Sequence, residues 1–160
     1  MNTEERMQAL GIPIPAPRTV PANFIPCVQV HDLVWVSGTL GTVKDPDGHD
    51  VIPKRGKLGR EISEAEGYAS ARQCAINHLS WLKQYLGDLD RIHRVVKLNG
   101  YVNGVEGFDR GPWVADGASD LLVQVLGEER GRHARAIVVV AGLAFGAPIE
   151  TELLVQVHPS

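Results

Sequence analysis

The stretch SEAEGYASARQCAINHLSWLKQYLG, residues 63–87, decides the fold class. Ser63 and Glu66 have the spacing of a capping box, in which the serine oxygen accepts from the third backbone N–H of a helix and the glutamate reaches back to the cap. Tyr68, Ala71, Ala75, Leu79, Leu82 and Leu86 follow at spacings of three and four, one apolar stripe along a helix, and Gly87 is the stop. Such a stripe must be buried against another layer, and the flanking sequence supplies strands on both sides.

On the N-terminal side, residues 25–30 and 33–36 read as two strands, the second running into Ser37-Gly38, with His31-Asp32 as the tight link. Residues 42–60 are rich in glycine, proline and charge, and Asp45-Pro46-Asp47-Gly48 is a strong turn signal. That segment is expected to be a surface loop with room for one short strand. Further out, residues 3–11 predict a short helix capped by Thr3 and ended by Gly11. Pro13, Pro15, Pro17 and Pro21 then hold the chain extended, so residues 1–22 are expected to form an arm laid over the domain.

On the C-terminal side, residues 92–102 predict a strand and residues 114–126 a second helix, ended by Gly127. Residues 135–143 and 149–157 are two last strands, rich in β-branched residues. The order β-β-α-β-α-β-β predicts an α+β domain, with two helices covering one face of a single sheet. Ala136, Val138 and Val140 alternate with Ile137 and Val139, so both faces of that strand need burial. The second face is expected to pack against another subunit, or else under the proline arm.

The chain has 160 residues, enough for one domain with its own core. Apolar residues make up 44% and charged residues 22%, the profile of a folded globular protein. A net charge of -3 argues against a strongly basic nucleic-acid binder. Cys27 and Cys74 form no Cys-x-x-Cys pair and read as small buried hydrophobes of a reducing compartment. The six histidines show no metal spacing. Ser37 is not in a Gly-x-Ser-x-Gly elbow, and neither a phosphate-binding loop nor a dinucleotide fingerprint occurs. A small site without metal or cofactor is the expectation. Residues 1–10 lack an apolar signal core, and no run reaches the roughly 18 apolar residues of a membrane helix. A cytoplasmic location is expected.

Arg135 opens a strand that is otherwise apolar. A guanidinium at the lip of a sheet offers a rigid fork for a carboxylate or phosphate; its plain alternative is an arginine reaching to solvent from a strand end. Glu150 and Glu152 alternate with apolar residues and share a face, which is either the solvent side or part of a site. In a simple hairpin of the last two strands, Arg135 would lie about 20 Å from Glu150. They share a site only if those strands are not hairpin partners or if a neighbouring subunit supplies one residue. Arg130, Arg132, His133 and Arg135 form a basic cluster preceded by Glu128 and Glu129, with no aromatic platform beside it, so an ordinary charged loop is the simpler reading.

Taken in order, Val36-Ser37-Gly38, Gly131-Arg132-His133-Ala134-Arg135-Ala136 and Ile149-Glu150-Thr151-Glu152 resemble the YjgF/RidA family. Asn23-Phe24-Ile25-Pro26 and the segment 116–122 resemble its longer, chorismate-mutase-like branch, often described as endoribonucleases. The resemblance spans residues 4–157. It implies a mixed sheet backed by two helices, a homotrimer, and clefts between subunits. The family's best-known activity, hydrolysis of enamine/imine intermediates to 2-oxo acids and ammonia, would use Arg135 to clamp the substrate carboxylate and Glu150 to position or activate water. Ser37 and Gly38 match the pair lining the cleft. Phe24 stands where short members carry tyrosine, Asp116 roughly where they carry asparagine, and Ile137 where a cysteine is common; Ala144 replaces a proline. Phe24 lacks a hydroxyl, and a cleft-facing Asp116 adds negative charge near an anionic substrate. A small-carboxylate-binding module without turnover and a ribonuclease are the alternatives.

Overall fold

The computed structural model describes residues 1–14, 19–20 and 22–158. Helix α1 (Thr3–Ala9) leads to β1 (Cys27–Val30) and β2 (Leu33–Leu40), followed by a two-stranded hairpin, β3 (Val43–Lys44) and β4 (Asp50–Val51). Then come α2 (Glu64–Leu86), β5 (Ile92–Asn103), α3 (Gly111–Leu126), the one-turn α4 (Glu128–Gly131), β6 (Ala134–Val140) and β7 (Ile149–Val157).

The capping box at Ser63 forms, with the serine side chain accepting from the Glu66 N–H, and Gly87 ends α2 in the left-handed region at φ 80°. The cap of α1 differs from expectation. Asn2, not Thr3, caps it in a box with Glu5, and the Thr3 hydroxyl donates to Asp90 instead. The Asp45–Gly48 turn closes a small hairpin where one strand was expected. Pro15, Pro17 and Pro21 lie outside the described residues.

The main sheet has the order β1-β2-β7-β5-β6. Strand β6 runs parallel to β5, joined to it through α3 and α4, and the other pairs are antiparallel. The sheet is therefore mixed, and α2 and α3 pack on one face of it. Val34, Val36, Leu98, Val102, Ile149, Leu153 and Val155 point into that helical layer and meet Leu79, Leu82, Leu121 and Leu122. Arg135 and Glu150 are not hairpin neighbours, because β5 separates their strands. The last strand of the chain is the central one.

The opposite sheet face keeps its apolar side chains exposed: Val28 (47%), Trp35 (46%) and Val138 (52%). The described end of the arm lies with the helices instead, where Met7, Ile12 and Ile14 join the core.

One core residue carries a pH dependence. His78 on α2 is fully buried; its Nε2 lies 3.0 Å from the Thr151 carbonyl, and its Nδ1 has no partner among the described residues. Burial pushes the imidazole pKa down to about 4, against an ordinary value of about 6.5. The unfolded chain therefore binds a proton between these values that the folded chain refuses. Stability falls as pH drops from about 6.5 to about 4, by roughly 3 kcal/mol in all. His78→Leu is expected to flatten urea-unfolding stability across that window, though it loses the Thr151 bond at about 1 kcal/mol. An unchanged pH slope in the variant would refute the assignment.

Candidate functional site

Every cross-strand partner points to the same sheet face, so the register assigns each candidate side chain a side. Arg135 pairs with Leu98, which pairs in turn with Leu153, and both leucines face the helices. Arg135 therefore projects to the helical side at the exposed edge of the sheet. There α3 meets it: Arg135 Nη1 donates to Asp116 Oδ1 at 2.7 Å and to Ser119 Oγ at 3.1 Å. Asp116 and Ser119 are three residues apart on one helix and so share a face. The arginine is held in place rather than trailing into solvent. Its remaining N–H groups make no bond among the described residues.

Glu150 pairs with Tyr101 on β5 and Leu40 on β2, and points to the other face. It lies over Gly38, where a Cβ would stand 2.1 Å from Glu150 Oε1, so the glycine is the space the carboxylate occupies. A bulge in β2 between Val36 and Thr39 shapes this spot. The Ser37 hydroxyl donates to the Ile25 carbonyl at 2.8 Å, tying the segment that carries the exposed Phe24 against β2. Two residues along, Glu152 accepts from Asn99 Nδ2 at 2.9 Å and from the Tyr101 hydroxyl at 3.0 Å. Glu150 receives no such donor among the described residues. Burial, and then the neighbouring Glu152 charge, hold its pKa above the ordinary glutamate range.

The predicted residues thus fall into two half-sites. Arg135 and Asp116 stand at the β6–α3 edge; Glu150 and Gly38 meet where β7 pairs with β2, with Ser37 next to Gly38 in sequence and Phe24 next to the Ile25 whose carbonyl Ser37 binds. Counted through β5, the Arg135 and Glu150 backbones lie about 14 Å apart, closer than a plain hairpin allows. Their side chains nevertheless leave opposite faces of the sheet, and one chain alone does not bring them together. Ile137 belongs to neither half-site. It packs over Gly100 against the core. Within the basic cluster, Arg130 is used internally, donating to the Ile92 carbonyl at 2.8 Å, while Arg132 is exposed and faces Glu128 at 3.5 Å. Lys57, in the charged 42–60 segment, donates to Asn103 Oδ1 at 2.9 Å and to the Ala141 carbonyl, anchoring that segment to the ends of β5 and β6.

Ser119, Asn99 and Tyr101 were given no role in a site from the sequence, and His133 entered only as part of the basic cluster and of the Gly131–Ala136 motif. Ser119 was detectable as the residue one turn beyond Asp116, and Asn99 and Tyr101 by their alternation along β5. The pairing of His133 with Ser119 carried no signal, because the two lie on different elements.

Gly38→Ala tests the second half-site. The new methyl meets only the far end of a flexible carboxylate, so the fold survives while Glu150 is displaced. A melting temperature within a few degrees of wild type is expected, with the reaction proposed below slowed at least about tenfold. Unchanged turnover would remove Glu150 from the site.

Both the architecture and the order of these motifs define a YjgF/RidA-type domain. The chain belongs to the family described as YjgF/chorismate mutase-like, putative endoribonuclease, whose model matches residues 4–154. It is 43% identical over 152 residues to protein TCP17 of Trypanosoma cruzi, covering 95% of this chain and 92% of that protein. Among solved structures, it is similar to Atu1372, a protein of unknown function from Agrobacterium tumefaciens, at 39% identity and TM-score 0.85, covering 98% of this chain and 94% of that one. It is also similar to a putative endoribonuclease from Shewanella oneidensis, at 29% identity and TM-score 0.90, covering 98% of this chain and all of that one, 100%. No helix among the described residues is long and apolar enough to cross a membrane.

Proposed function

We propose that this protein is a RidA-like enamine/imine deaminase that works as a homotrimer, with each cleft formed by the Arg135 edge of one copy and the Glu150 face of the next. The observation that carries the reading is the pair of half-sites itself. One presents a fixed guanidinium with unused donors, the other a carboxylate with no donor and a raised pKa, and they stand on opposite faces of one sheet. Exposed apolar residues on the Glu150 face support its cover by a second copy.

In this reading Arg135 grips the carboxylate of a small 2-imino acid and sets the imine carbon facing a water held by Glu150. Glu150 takes a proton from the water as its oxygen bonds to the carbon. Glu150 returns that proton to the nitrogen, giving a tetrahedral adduct that carries a hydroxyl and an amino group; the hydroxyl proton then passes through Glu150 to the amino nitrogen as the C–N bond breaks, so ammonia leaves and a 2-oxo acid remains. Phe24 and Ser37 wall the cleft, and no metal or cofactor takes part. The test couples the purified protein to an amino-acid oxidase that generates imino acids and follows ammonia release. Acceleration that Arg135→Ala abolishes is the expected result; no acceleration with any side chain tried would overturn the reading. A binding module without turnover is the second reading, favoured by Asp116, whose carboxylate already accepts from Arg135. Stabilisation by a 2-oxo acid with no ammonia release would select it.

A further inference from the structure

A second chemistry lies beside Arg135 and needs neither the Glu150 face nor a second copy. Beyond α3 the chain turns at Gly127, runs through α4 and enters β6, and this return sets His133 opposite Ser119. Ser119 Oγ lies 3.0 Å from His133 Nε2, and His133 Nδ1 lies 2.7 Å from the Gly131 carbonyl oxygen. A carbonyl oxygen only accepts, so Nδ1 carries the ring proton and Nε2 presents its lone pair. The serine hydroxyl must then donate to Nε2. Its oxygen accepts in turn from Arg135 Nη1 at 3.1 Å.

This direction of bonds is the reverse of an idle helical serine, whose hydroxyl ordinarily turns back to a carbonyl one turn earlier in its own helix. Here the proton is aimed at a base. A guanidinium beside the oxygen favours the charge that develops when the proton leaves, and a backbone carbonyl orients the base. The group opens into a cavity of about 460 Å³ lined by Asp116, Asp120, Val123 and Gln124 as well. Burial, and to a smaller extent the Arg135 charge, hold the His133 pKa below the ordinary value against the opposing Gly131 bond, which keeps the ring neutral near pH 7.

We propose that Ser119 and His133 are a nucleophile and general base for acyl transfer, acting on small carboxylic esters or thioesters. Ser119 Oγ bonds to the acyl carbon as its proton passes to His133 Nε2. The oxyanion accepts from the unused Arg135 N–H groups. Collapse breaks the bond to the leaving alkoxide or thiolate, which takes the proton from Nε2. Water, deprotonated by the same nitrogen, then cleaves the acyl-serine, releasing the acid and restoring the hydroxyl.

The test uses a fluorophosphonate probe, which phosphonylates an activated serine with loss of fluoride, read by intact mass and peptide mapping on the full chain. One adduct per chain at Ser119 is expected. Ser119→Ala should show none, and His133→Gln should label at least about 100-fold more slowly. The wild-type rate should hold near pH 7 and fall only below the ordinary histidine pKa of about 6.5. Ser119→Cys guards against a folding defect in the histidine variant: its thiol should be alkylated by iodoacetamide at neutral pH well faster than Cys27 or Cys74, both of which are buried with raised pKa values. Labelling elsewhere, labelling indifferent to His133, or an unreactive Cys at position 119 would overturn the proposal. Imine hydrolysis is read separately as ammonia release, so either activity can fail without the other.

Discussion

Arg135→Ala and Glu150→Gln are each expected to lose imine hydrolysis by at least about 100-fold, and a mixture of the two inactive chains to recover about a quarter of wild-type activity. The individual losses follow from the proposed chemistry, in which the substrate carboxylate has no anchor without the guanidinium and the water has no base without the carboxylate. The recovery follows from placement, since the two side chains leave opposite faces of one sheet. If each cleft takes its arginine from one copy and its glutamate from the next, random mixing gives each cleft a chance of one half for either intact residue. About a quarter of clefts then receive both. Co-expression with separable tags, or joint refolding, produces the mixed assemblies, and ammonia release measures them. No recovery would mean that the clefts do not combine residues from different copies. Glu150 also predicts an acidic limb displaced above the usual glutamate range, because its proton must be off for it to accept one from water.

Gly117→Ala is expected to destabilise the protein by about 3 kcal/mol or more, lowering the melting temperature by about 6–12 °C. A Cβ at this buried position of α3 would stand 2.0 Å from the Tyr68 carbonyl oxygen and 3.1 Å from the Arg72 backbone nitrogen of α2. Both atoms are main chain, so nothing yields except the helix packing itself. Gly67 makes the matching approach from α2, facing Val114. Scanning calorimetry of the variant measures the effect. A loss under about 1 kcal/mol would show that the helices slide apart at small cost. Moving α3 also moves Asp116 and Ser119, so the variant should loosen Arg135 even where it remains folded.

These two glycines show where sequence reading stops. A glycine inside an amphipathic helix costs about 1 kcal/mol relative to alanine, which signals a reason but not the atom that supplies it. The same limit applied to the site. Alternation alone put Glu150 and Glu152 on one face, and put Arg135 on the face of Ile137 and Val139. It did not say whether the Arg135 face and the Glu150 face are the same one. That answer required the pairing of both strands to β5, where Leu98 and Tyr101 point to opposite sides. Asp116 was legible only through the family resemblance, as a charge near the substrate, and its role as the arginine's partner was not. The Thr3 cap went to Asn2 because both residues cap well, and only the fold shows that Asp90 accepts from the Thr3 hydroxyl.

The chain's own order of residues determined which segments are helices and strands, which side of each is apolar, and which family pattern they carry. Those properties are local: periodicity, caps and turns act within a few residues of each other. Tertiary structure alone decided that the final strand enters between β2 and β5, that Gly38 makes room for a carboxylate from β7, and that Ser119, His133, Arg135 and Asp116 meet in one hydrogen-bonded chain. Those contacts join elements far apart in sequence, and they arise when the shared core fixes strand order and helix crossing.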